Sequence, residues 1–426
     1  MVNFFIPILK IDFVKIERPR GTRDFLPEEM EKRREIEKKM REIAELYGYR
    51  EIQTPTFEHL ELFTLKSGEA IVEEIYAFKD KGGRDLALRP ELTAPVMRMF
   101  ANECSVMPKP LRFYYFSNCF RYERPQKGRY REFWQFGVEL IGSSSYLADA
   151  EVITLAFEIM DNLNLNFEMR IGHVGLLRHL LRNIKGVDAS KIMRLIDKKD
   201  VEGLEDYINT IRLNKEIRDK IYALIELVGN KDVVEEAKRI IPDFDFSHVE
   251  KLCDCLDSVG VNYKIDFGIA RGLDYYTGIV FEAYAKEGLG AQNQICGGGS
   301  YRLSHLFGID TPSTGFALGF DRIAEICEFK ERKRKVVVVI SFKGLENEAF
   351  KIANWIRKAG FNAVVDVMGR GLKKQLSYAN DIKADFAIIV GEEEMKENKT
   401  AIKDLKSGEQ KIVEMKGMID FLRSLD

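Results

Sequence analysis

Apolar and polar side chains alternate along residues 131–141, inside the stretch FRYERPQKGRYREFWQFGVELIG at 120–142. Successive side chains of a β-strand point to opposite faces, so this alternation predicts a strand with one apolar face. That face carries Trp134, Phe136, Val138 and Leu140. The other face carries Phe133, Gln135, Gly137 and Glu139. A basic turn joins this strand to a preceding one, so the pattern predicts a hairpin whose second face sets an amide and a carboxylate on either side of a glycine.

Helical spacing marks three other parts of the chain. Residues 28–47 are highly charged but carry apolar residues three or four positions apart, which predicts an amphipathic helix. These apolar residues are Met30, Ile36, Met40, Ile43 and Leu46. Residues 146–163 predict a second helix, and residues 174–256 are helical throughout. Because this long helical block stands between strand-rich segments, the pattern predicts an inserted subdomain.

Beyond the basic run KERKRK at 330–335, which we interpret as a solvated linker, strands and helices alternate. The apolar strands VVVVI, FNAVVDV and DFAIIVG are separated by helices at 345–359 and 372–383, and a hairpin turning at KSGEQ and a final helix follow. This order predicts a mostly parallel sheet covered on both faces. We therefore expect an α/β protein with one domain at 1–330, interrupted by the insertion at 174–256, and a second at 334–426.

Composition and charge narrow the function classes. The 426 residues include 66 Lys and Arg against 68 Asp and Glu, so a globally basic nucleic-acid binder is excluded and an RNA partner would need a local basic surface. The six cysteines form no CxxC pair and the five histidines form no HExxH motif, so no protein-bound structural metal is expected. The apolar residues 1–16 are interrupted by Lys10 and Asp12, and no run reaches membrane length. These features indicate a cytoplasmic protein with no membrane partner.

The first domain contains neither GxGxxG after a strand nor a GxxxxGK[ST] loop, so a nucleotide would have to be held by arginines. The hairpin offers such a site, because residues two apart in a strand share a face. This places Arg121 with Glu123 and, across the turn, Phe133 with Gln135 and Glu139. A solvent-exposed polar face is the alternative. The aromatic ring among polar residues and the strand glycine favour a ligand pocket.

The hairpin stretch resembles motif 2 of the class II aminoacyl-tRNA synthetases, in the form found in histidyl-tRNA synthetases. GYREIQTPTFE, with Pro55, resembles motif 1, and STGFALGFDRI, with Arg322, resembles motif 3. ARGLDYYTGIVFE resembles a signature of the histidyl enzymes, and RGTRDFLPEE and LRPELTAPVMR also match that family. The resemblance runs from about residue 17 to the C-terminus. It implies a catalytic α+β domain built on an antiparallel sheet, a helical insertion, and a C-terminal α/β domain that binds the anticodon.

The resemblance implies a reaction in which the carboxylate of histidine attacks the α-phosphorus of ATP and pyrophosphate leaves. Arg121 and Arg271 would be catalytic, because fixed cations stabilise the negative charge that builds on the α-phosphate oxygens. Arg271 would stand where related enzymes place a metal ion. The other ATP-binding residues implied are Arg129 and Arg322 at the γ-phosphate, and Glu123 and Phe133 at the adenine.

The resemblance also implies a histidine pocket. Glu139 and Tyr276 would bind the imidazole, which presents one donor and one acceptor when neutral. The remaining histidine-binding residues would be Glu91 and Thr93 at the α-ammonium, Gln135 at the main-chain end, and Arg271 and Tyr275. Each assignment has a plainer alternative. The two tyrosines could be ordinary strand aromatics, Glu91 could cap a helix beginning near Thr93, and Arg271 could be a surface residue before a turn.

Two departures from the family pattern concern the glycine-rich loop and Trp134. The glycine-rich loop CGGGSYRLSHLFG has Ser300 and Arg302 beside its tyrosine, where the family usually has Arg and Asp. Because this loop borders the histidine pocket, its contacts there are open. Trp134 replaces a residue that is often His, and we expect it to alter packing only.

The partners implied are L-histidine, ATP with Mg²⁺ and tRNA(His), and the family forms homodimers across motif 1. Two other functions stay open. Regulatory subunits of ATP phosphoribosyltransferase share the catalytic fold, but they typically lack the C-terminal domain and lose motif residues. A class II ligase for another amino acid, such as proline or threonine, would not be expected to carry RGLDYY and Glu139.

Overall fold

A computed structural model describes residues 15–65, 73–182, 184, 186–270, 275–328 and 335–425. The chain divides into two compact units, residues 1–329 and 330–426. Arg271 and most of the run at 330–335 lie outside the described residues. No helix of the described part is long and apolar enough to cross a membrane.

The first unit is built on a nine-stranded sheet in which neighbouring strands are mostly antiparallel. Its order is β1-β5-β6-β12-β11-β10-β7-β9-β8, and only the β1–β5 and β7–β9 pairs of the described sheet are parallel. The strands are β1 (Arg50–Glu51), β5 (Leu111–Phe120), β6 (Glu132–Ile141), β7 (Phe167–His173), β8 (Val228–Gly229), β9 (Lys264–Asp266), β10 (Tyr276–Ala285), β11 (Gln294–Tyr301) and β12 (Ser313–Gly319). A small sheet in the order β2-β4-β3 comprises β2 (Phe57–His59), β3 (Ala77–Lys79) and β4 (Asp85–Leu88).

The predicted hairpin is the pair β5–β6, in register from Leu111 opposite Ile141 to Phe120 opposite Glu132. Phe136, Val138 and Leu140 are buried as the alternation predicts. The other face is closed as well, since Glu139 is also buried. The face with the polar residues is therefore not an open, solvent-exposed surface at Glu139.

The first predicted helix spans Pro27–Leu46 and buries Ile36, Met40 and Ile43. Its predicted stripe is wrong at the end, because Leu46 is 85% exposed. The stripe continues instead through Ala44 to Tyr47, which packs against the core. The same helix buries Arg33, which pairs with a carboxylate of a distant helix.

The other helices of this unit cover the sheet and form the predicted helical block. They are Glu61–Thr64, Thr93–Met99, Tyr146–Asn162, Val174–Leu181, Ala189–Asp197, Val201–Thr210, Lys215–Ile225, Val233–Ile240, Ser247–Ser258 and Phe320–Ile326. Asp188, Asp200 and Asn214 cap helices of the block through side-chain oxygens, which fixes where each begins. The block is not helical throughout, since Val228–Gly229 form strand β8 against β9.

The second unit has a five-stranded sheet in the order β14-β13-β15-β16-β17. Its strands are β13 (Val336–Ser341), β14 (Asn362–Val365), β15 (Phe386–Val390), β16 (Lys399–Asp404) and β17 (Gln410–Glu414). The first three are parallel and the last two form the predicted antiparallel hairpin. Helices Glu346–Lys358, Leu372–Asp381, Glu392–Lys396 and Met418–Ser424 complete the unit. Apolar clusters lie on both faces of the sheet, as continuous apolar strands require.

Candidate active site

A polar cavity of about 720 Å³ opens above strands β6, β10, β11 and β12 of the first unit. Six residues predicted from the sequence line it: Arg121, Glu123, Arg129, Phe133, Gln135 and Arg322. They come from the end of β5, the turn after it, strand β6, and the helix that follows β12. The fold therefore brings the motif 2 and motif 3 segments to one cavity.

At the motif 2 end, Arg121 is held by the main chain of a neighbouring segment. Its Nε donates to the carbonyl oxygen of Pro90 at 2.9 Å, and its guanidinium lies 5.1 Å from the ring centre of Phe133. The carboxylate of Glu123 forms an ion pair with Arg129 and lies 4.0 Å from Arg121. Arg121 is thus fixed in direction while its charge faces the cavity.

Arg322 is held by hydrogen bonds to two backbone carbonyl groups. Its Nε donates to the carbonyl oxygen of Gly128 at 2.8 Å, and a terminal nitrogen donates to that of Gln294 at 2.6 Å. Burial lowers the pKa of Arg322, and the nearby Arg129 and Arg121 lower it further. The positive charges of Arg121, Arg129 and Arg322 therefore line one cavity. Such a group of fixed cations suits a polyanionic ligand.

Glu139 lies in a separate, closed part of the site. Its carboxyl group is buried and accepts a hydrogen bond of 2.5 Å from the hydroxyl of Tyr301. Burial raises its pKa to about 8, while hydrogen bonds from Tyr301, Thr93 and Tyr115 oppose the rise. A buried carboxyl group among hydroxyl groups is suited to bind a small polar ring, because each partner has a fixed direction.

Glu91 caps the helix that begins at Thr93, which was the plainer alternative to a ligand-binding role. Its two carboxylate oxygens accept from the backbone N–H groups of Thr93 at 2.6 Å and Ala94 at 3.0 Å, at the start of helix Thr93–Met99. Burial raises its pKa. Each oxygen keeps a further lone pair, so capping the helix does not prevent contact with a bound ammonium group.

The two tyrosines of the RGLDYY signature lie beside Tyr301. The ring centre of Tyr275 is 4.9 Å from that of Tyr276 and 5.6 Å from that of Tyr301. Tyr276 is buried, and its ring centre lies 6.4 Å from that of Tyr301, whose hydroxyl donates to Glu139. The role predicted for Arg271, which precedes this signature, concerns a residue outside the described part of the chain.

Sequence reasoning missed two pocket residues, Tyr115 and Tyr301. Tyr115 pairs with Gly137 across the hairpin, and a Cβ added to Gly137 would lie 2.3 Å from the Tyr115 hydroxyl oxygen. The glycine therefore makes room for this tyrosine rather than directly for a ligand. Strand β5 is apolar on both faces, so alternation there does not distinguish pocket from core. The tyrosine after CGGGS was the available signal for Tyr301.

The two departures from the family pattern have local explanations. Ser300 donates at 2.6 Å to the buried Asp149, which also contacts the imidazole of His248 at 2.9 Å. Arg302 pairs at 2.8 Å with Asp310 at an exposed position. Trp134 stacks on Phe116 with 4.9 Å between ring centres, in agreement with a packing role. Among the described residues, no group of three or more His, Cys, Asp or Glu side chains could hold a metal ion.

Comparison with known proteins identifies both units. Residues 21–323 match the family model described as Histidyl-tRNA synthetase, and residues 335–425 match the Anticodon binding domain. A Histidine--tRNA ligase of Archaeoglobus fulgidus is 65% identical over 411 residues, covering 96% of this chain and 100% of the relative.

Two solved structures have the same fold. The histidyl-tRNA synthetase of Nostoc sp. PCC 7120 has a TM-score of 0.78 at 26% identity, covering 97% of this chain and 100% of that one. A Bacillus halodurans protein, titled as an ATP phosphoribosyltransferase regulatory subunit/histidyl-tRNA synthetase, has a TM-score of 0.74 at 30% identity, covering 86% of this chain and 97% of that one.

Proposed function

The chain belongs to the histidyl-tRNA synthetase family, and from this premise we propose how its residues carry out the family's reaction. It activates L-histidine with ATP to give histidyl-adenylate and pyrophosphate, and then transfers histidine to the 3′ end of tRNA(His). The regulatory-subunit alternative is not favoured, because the chain is 65% identical to a histidine–tRNA ligase over nearly its whole length and retains a C-terminal unit that matches an anticodon-binding domain.

The observation that carries the site assignment is the separation of charge along strand β6. Three arginines line the cavity at one end of this strand, and the buried carboxyl group of Glu139 lies toward its other end. Gln135 lies between them on the same face. A triphosphate suits the first environment and a neutral imidazole suits the second, so the two substrates would meet near Gln135.

We assign the ATP contacts as the family resemblance implies. Arg121, with Arg271, would stabilise the charge that develops on the α-phosphate, and Arg322 would hold the γ-phosphate. Arg129 would exchange its present partner Glu123 for the γ-phosphate, which leaves Glu123 with Phe133 for the adenine. Mg²⁺ would enter with ATP as part of the substrate.

In the histidine pocket, Glu139 would accept the ring N–H and Tyr276 would face the other ring nitrogen, with Tyr275 beside it. Glu91 and Thr93 would bind the α-ammonium group. A substrate without these donors and acceptors would leave buried groups unpaired, a penalty that can reach about 10⁴–10⁵ in discrimination.

We further propose that residues 1–330 form the catalytic domain, with 174–256 as its insertion, and that residues 334–426 bind the anticodon. Homodimerisation across the motif 1 segment is supported by exposed aromatic residues nearby, where Phe57 and Phe78 contact each other edge to face at 6.4 Å. A cytoplasmic location belongs to the same proposal.

We propose a specific location for the RNA contact of the second unit. Phe342 follows β13 and is 46% exposed, and Met368, beyond the end of the paired β14, is 69% exposed. Exposed lysines follow these residues in the sequence: Lys343 comes directly after Phe342, and Lys373 and Lys374 lie in the first turn of the helix after Met368. None of these lysines forms an ion pair with a carboxylate in the described part of the chain. An exposed aromatic among lysines suits an unpaired RNA base.

The proposed function is tested by histidine-dependent exchange between ATP and pyrophosphate, measured on the purified full chain without tRNA. We expect exchange with histidine and none with proline or threonine. Absence of exchange with histidine in a folded protein would refute the proposal, and exchange with proline or threonine would refute the assigned pocket.

A further inference from the structure

An ionic cluster lies in the wall of the ATP cavity, where Tyr130, Trp134 and Asp321 are among the lining residues, and it connects separate segments of the first unit. Its centre is Asp321, which is 4% exposed and lies in the first turn of helix Phe320–Ile326. One carboxylate oxygen accepts from Arg23 at 2.6 Å and from Arg33 at 2.8 Å. The other accepts from the backbone N–H of Trp134 at 2.6 Å.

Aromatic rings enclose the two arginines. The guanidinium of Arg23 lies 3.6 Å from the ring centre of Tyr130, and that of Arg33 lies 4.0 Å from the ring centre of Phe25. Arg23 also lies 3.8 Å from Glu325, which accepts a hydrogen bond of 2.6 Å from the Tyr130 hydroxyl. Two positive and two negative groups balance each other, which buried charges require.

Three members of the cluster are neighbours in sequence of residues assigned to ATP binding. Asp321 precedes Arg322, Trp134 follows Phe133, and Tyr130 follows Arg129. A shift of the cluster would therefore move the backbone on both sides of the cavity. Arg33 lies on helix Pro27–Leu46, which leads into the motif 1 segment, so the cluster also connects that segment to the cavity.

We propose that Asp321, with Arg23 and Arg33, forms a positioning cluster that sets the spacing of the ATP-binding residues. Asp321 lines the cavity, but both of its carboxylate oxygens are occupied by Arg23, Arg33 and the N–H of Trp134. The cluster therefore acts through the neighbouring residues Arg322, Phe133 and Arg129. Asp321 bonds Arg23, Arg33 of the helix that leads into motif 1, and the motif 2 strand to the motif 3 helix, so we expect it to carry most of the effect. This inference rests on the ATP assignments proposed above.

The test is Asp321→Asn in the full chain, with exchange kinetics measured for both substrates. The amide keeps the shape of the carboxylate but leaves two buried arginines with one fewer negative charge. We expect the KM for ATP to rise at least tenfold and the KM for histidine to change less than twofold. Arg33→Met, which removes one cation but leaves Arg23 on Asp321, should give a smaller shift of the same kind and serves if the first variant does not fold.

Arg112→Met is the matched control. Arg112 forms a two-bond ion pair with Glu151, at 2.8 Å for each bond, and does not line the ATP cavity. The Arg112→Met variant should have a lower melting temperature, but its KM for ATP should not change relative to its KM for histidine. The inference is overturned if Asp321→Asn and Arg33→Met are folded with an unchanged KM for ATP, or if both KM values rise together. If the unmodified chain shows no exchange, the proposed function itself fails.

Discussion

At the residue scale, the carboxyl group of Glu139 combines complete burial with a proposed role in substrate binding. Its pKa is about 8 in the folded chain, against a usual value of 4.5. Between these values the unfolded chain loses the proton while the folded chain keeps it, so this group lowers the stability of the fold as the pH rises. Glu139→Gln removes that effect. The free energy of unfolding of the variant, minus that of the unchanged protein, should therefore increase between pH 4.5 and 8 by an amount on the order of 5 kcal/mol. Urea unfolding at both pH values measures this difference.

The exposed Glu103 supplies the control. The difference in free energy of unfolding between Glu103→Gln and the unchanged protein should vary by less than about 0.5 kcal/mol between the two pH values. Glu139→Gln should also raise the KM for histidine at least tenfold. A stability difference that does not change with pH would show that Glu139 is ionised in the folded chain.

Gly137 tests the packing beneath the pocket. A methyl group at this position would overlap the hydroxyl of the buried Tyr115, so Gly137→Ala should destabilise the first unit by about 1–3 kcal/mol and raise the KM for histidine. Gly278→Ala, in the same sheet, is the control. Its nearest new contact is an ordinary 3.7 Å, and its melting temperature by calorimetry should stay near that of the unchanged protein. Equal effects of the two changes would contradict the close approach of Tyr115.

At the element scale, one buried arginine holds the segment that leads into the histidine pocket. Arg89 donates to the carbonyl oxygens of Thr54 and Asn118, both at 2.8 Å, and to the side chain of Asn118 at 3.0 Å. It thereby fixes Pro90, whose carbonyl oxygen orients Arg121. Arg89→Met would leave these buried acceptors unpaired and should destabilise the unit by roughly 2–4 kcal/mol in urea unfolding.

Arg84→Met provides the comparison for Arg89. Arg84 forms an exposed ion pair with Asp80, and removing such a pair should change the free energy of unfolding by less than about 1 kcal/mol. If the Arg89 variant unfolds like the Arg84 variant, the hydrogen bonds of Arg89 do not hold the segment.

How far the sequence predicts these elements depends on their length. Strand β6 and helix Pro27–Leu46 are long enough for a period to appear, and both form as predicted. The prediction for Leu46 is wrong because Tyr47, and not Leu46, packs against the core at the end of the helix. Strand β8 has two residues, which is too short to show any period.

The motifs predict which residues approach one cavity, but they do not predict partners that come from a distant strand. Arg121, Phe133 and Arg322 reach one cavity as expected. Tyr115 and Tyr301 meet Glu139 only through the pairing of strands β5, β6, β12 and β11, and no local pattern encodes that pairing. The binding of Arg23 and Arg33 by Asp321 spans about 290 positions in sequence, so it appears only in the fold.

At the scale of the whole molecule, the two units allow amino-acid activation and RNA recognition to be measured separately. Exchange between ATP and pyrophosphate needs no tRNA, so it reports on the first unit. If the second unit binds the anticodon as proposed, transfer of histidine to tRNA depends on both units. A change in the second unit that affects only transfer would therefore identify an RNA contact.

Phe342 is the residue for this test. If an unpaired base stacks on its exposed ring, Phe342→Ala should raise the KM for tRNA about tenfold, because one stacked base contributes roughly 1–3 kcal/mol. Exchange without tRNA should be unchanged. Phe350→Ala is the matched control, since Phe350 is also exposed in the second unit but lies on helix Glu346–Lys358 rather than at the strand ends. The KM for tRNA should rise with Phe342→Ala alone. An equal rise for both variants, or none for either, would place the RNA contact elsewhere in the chain.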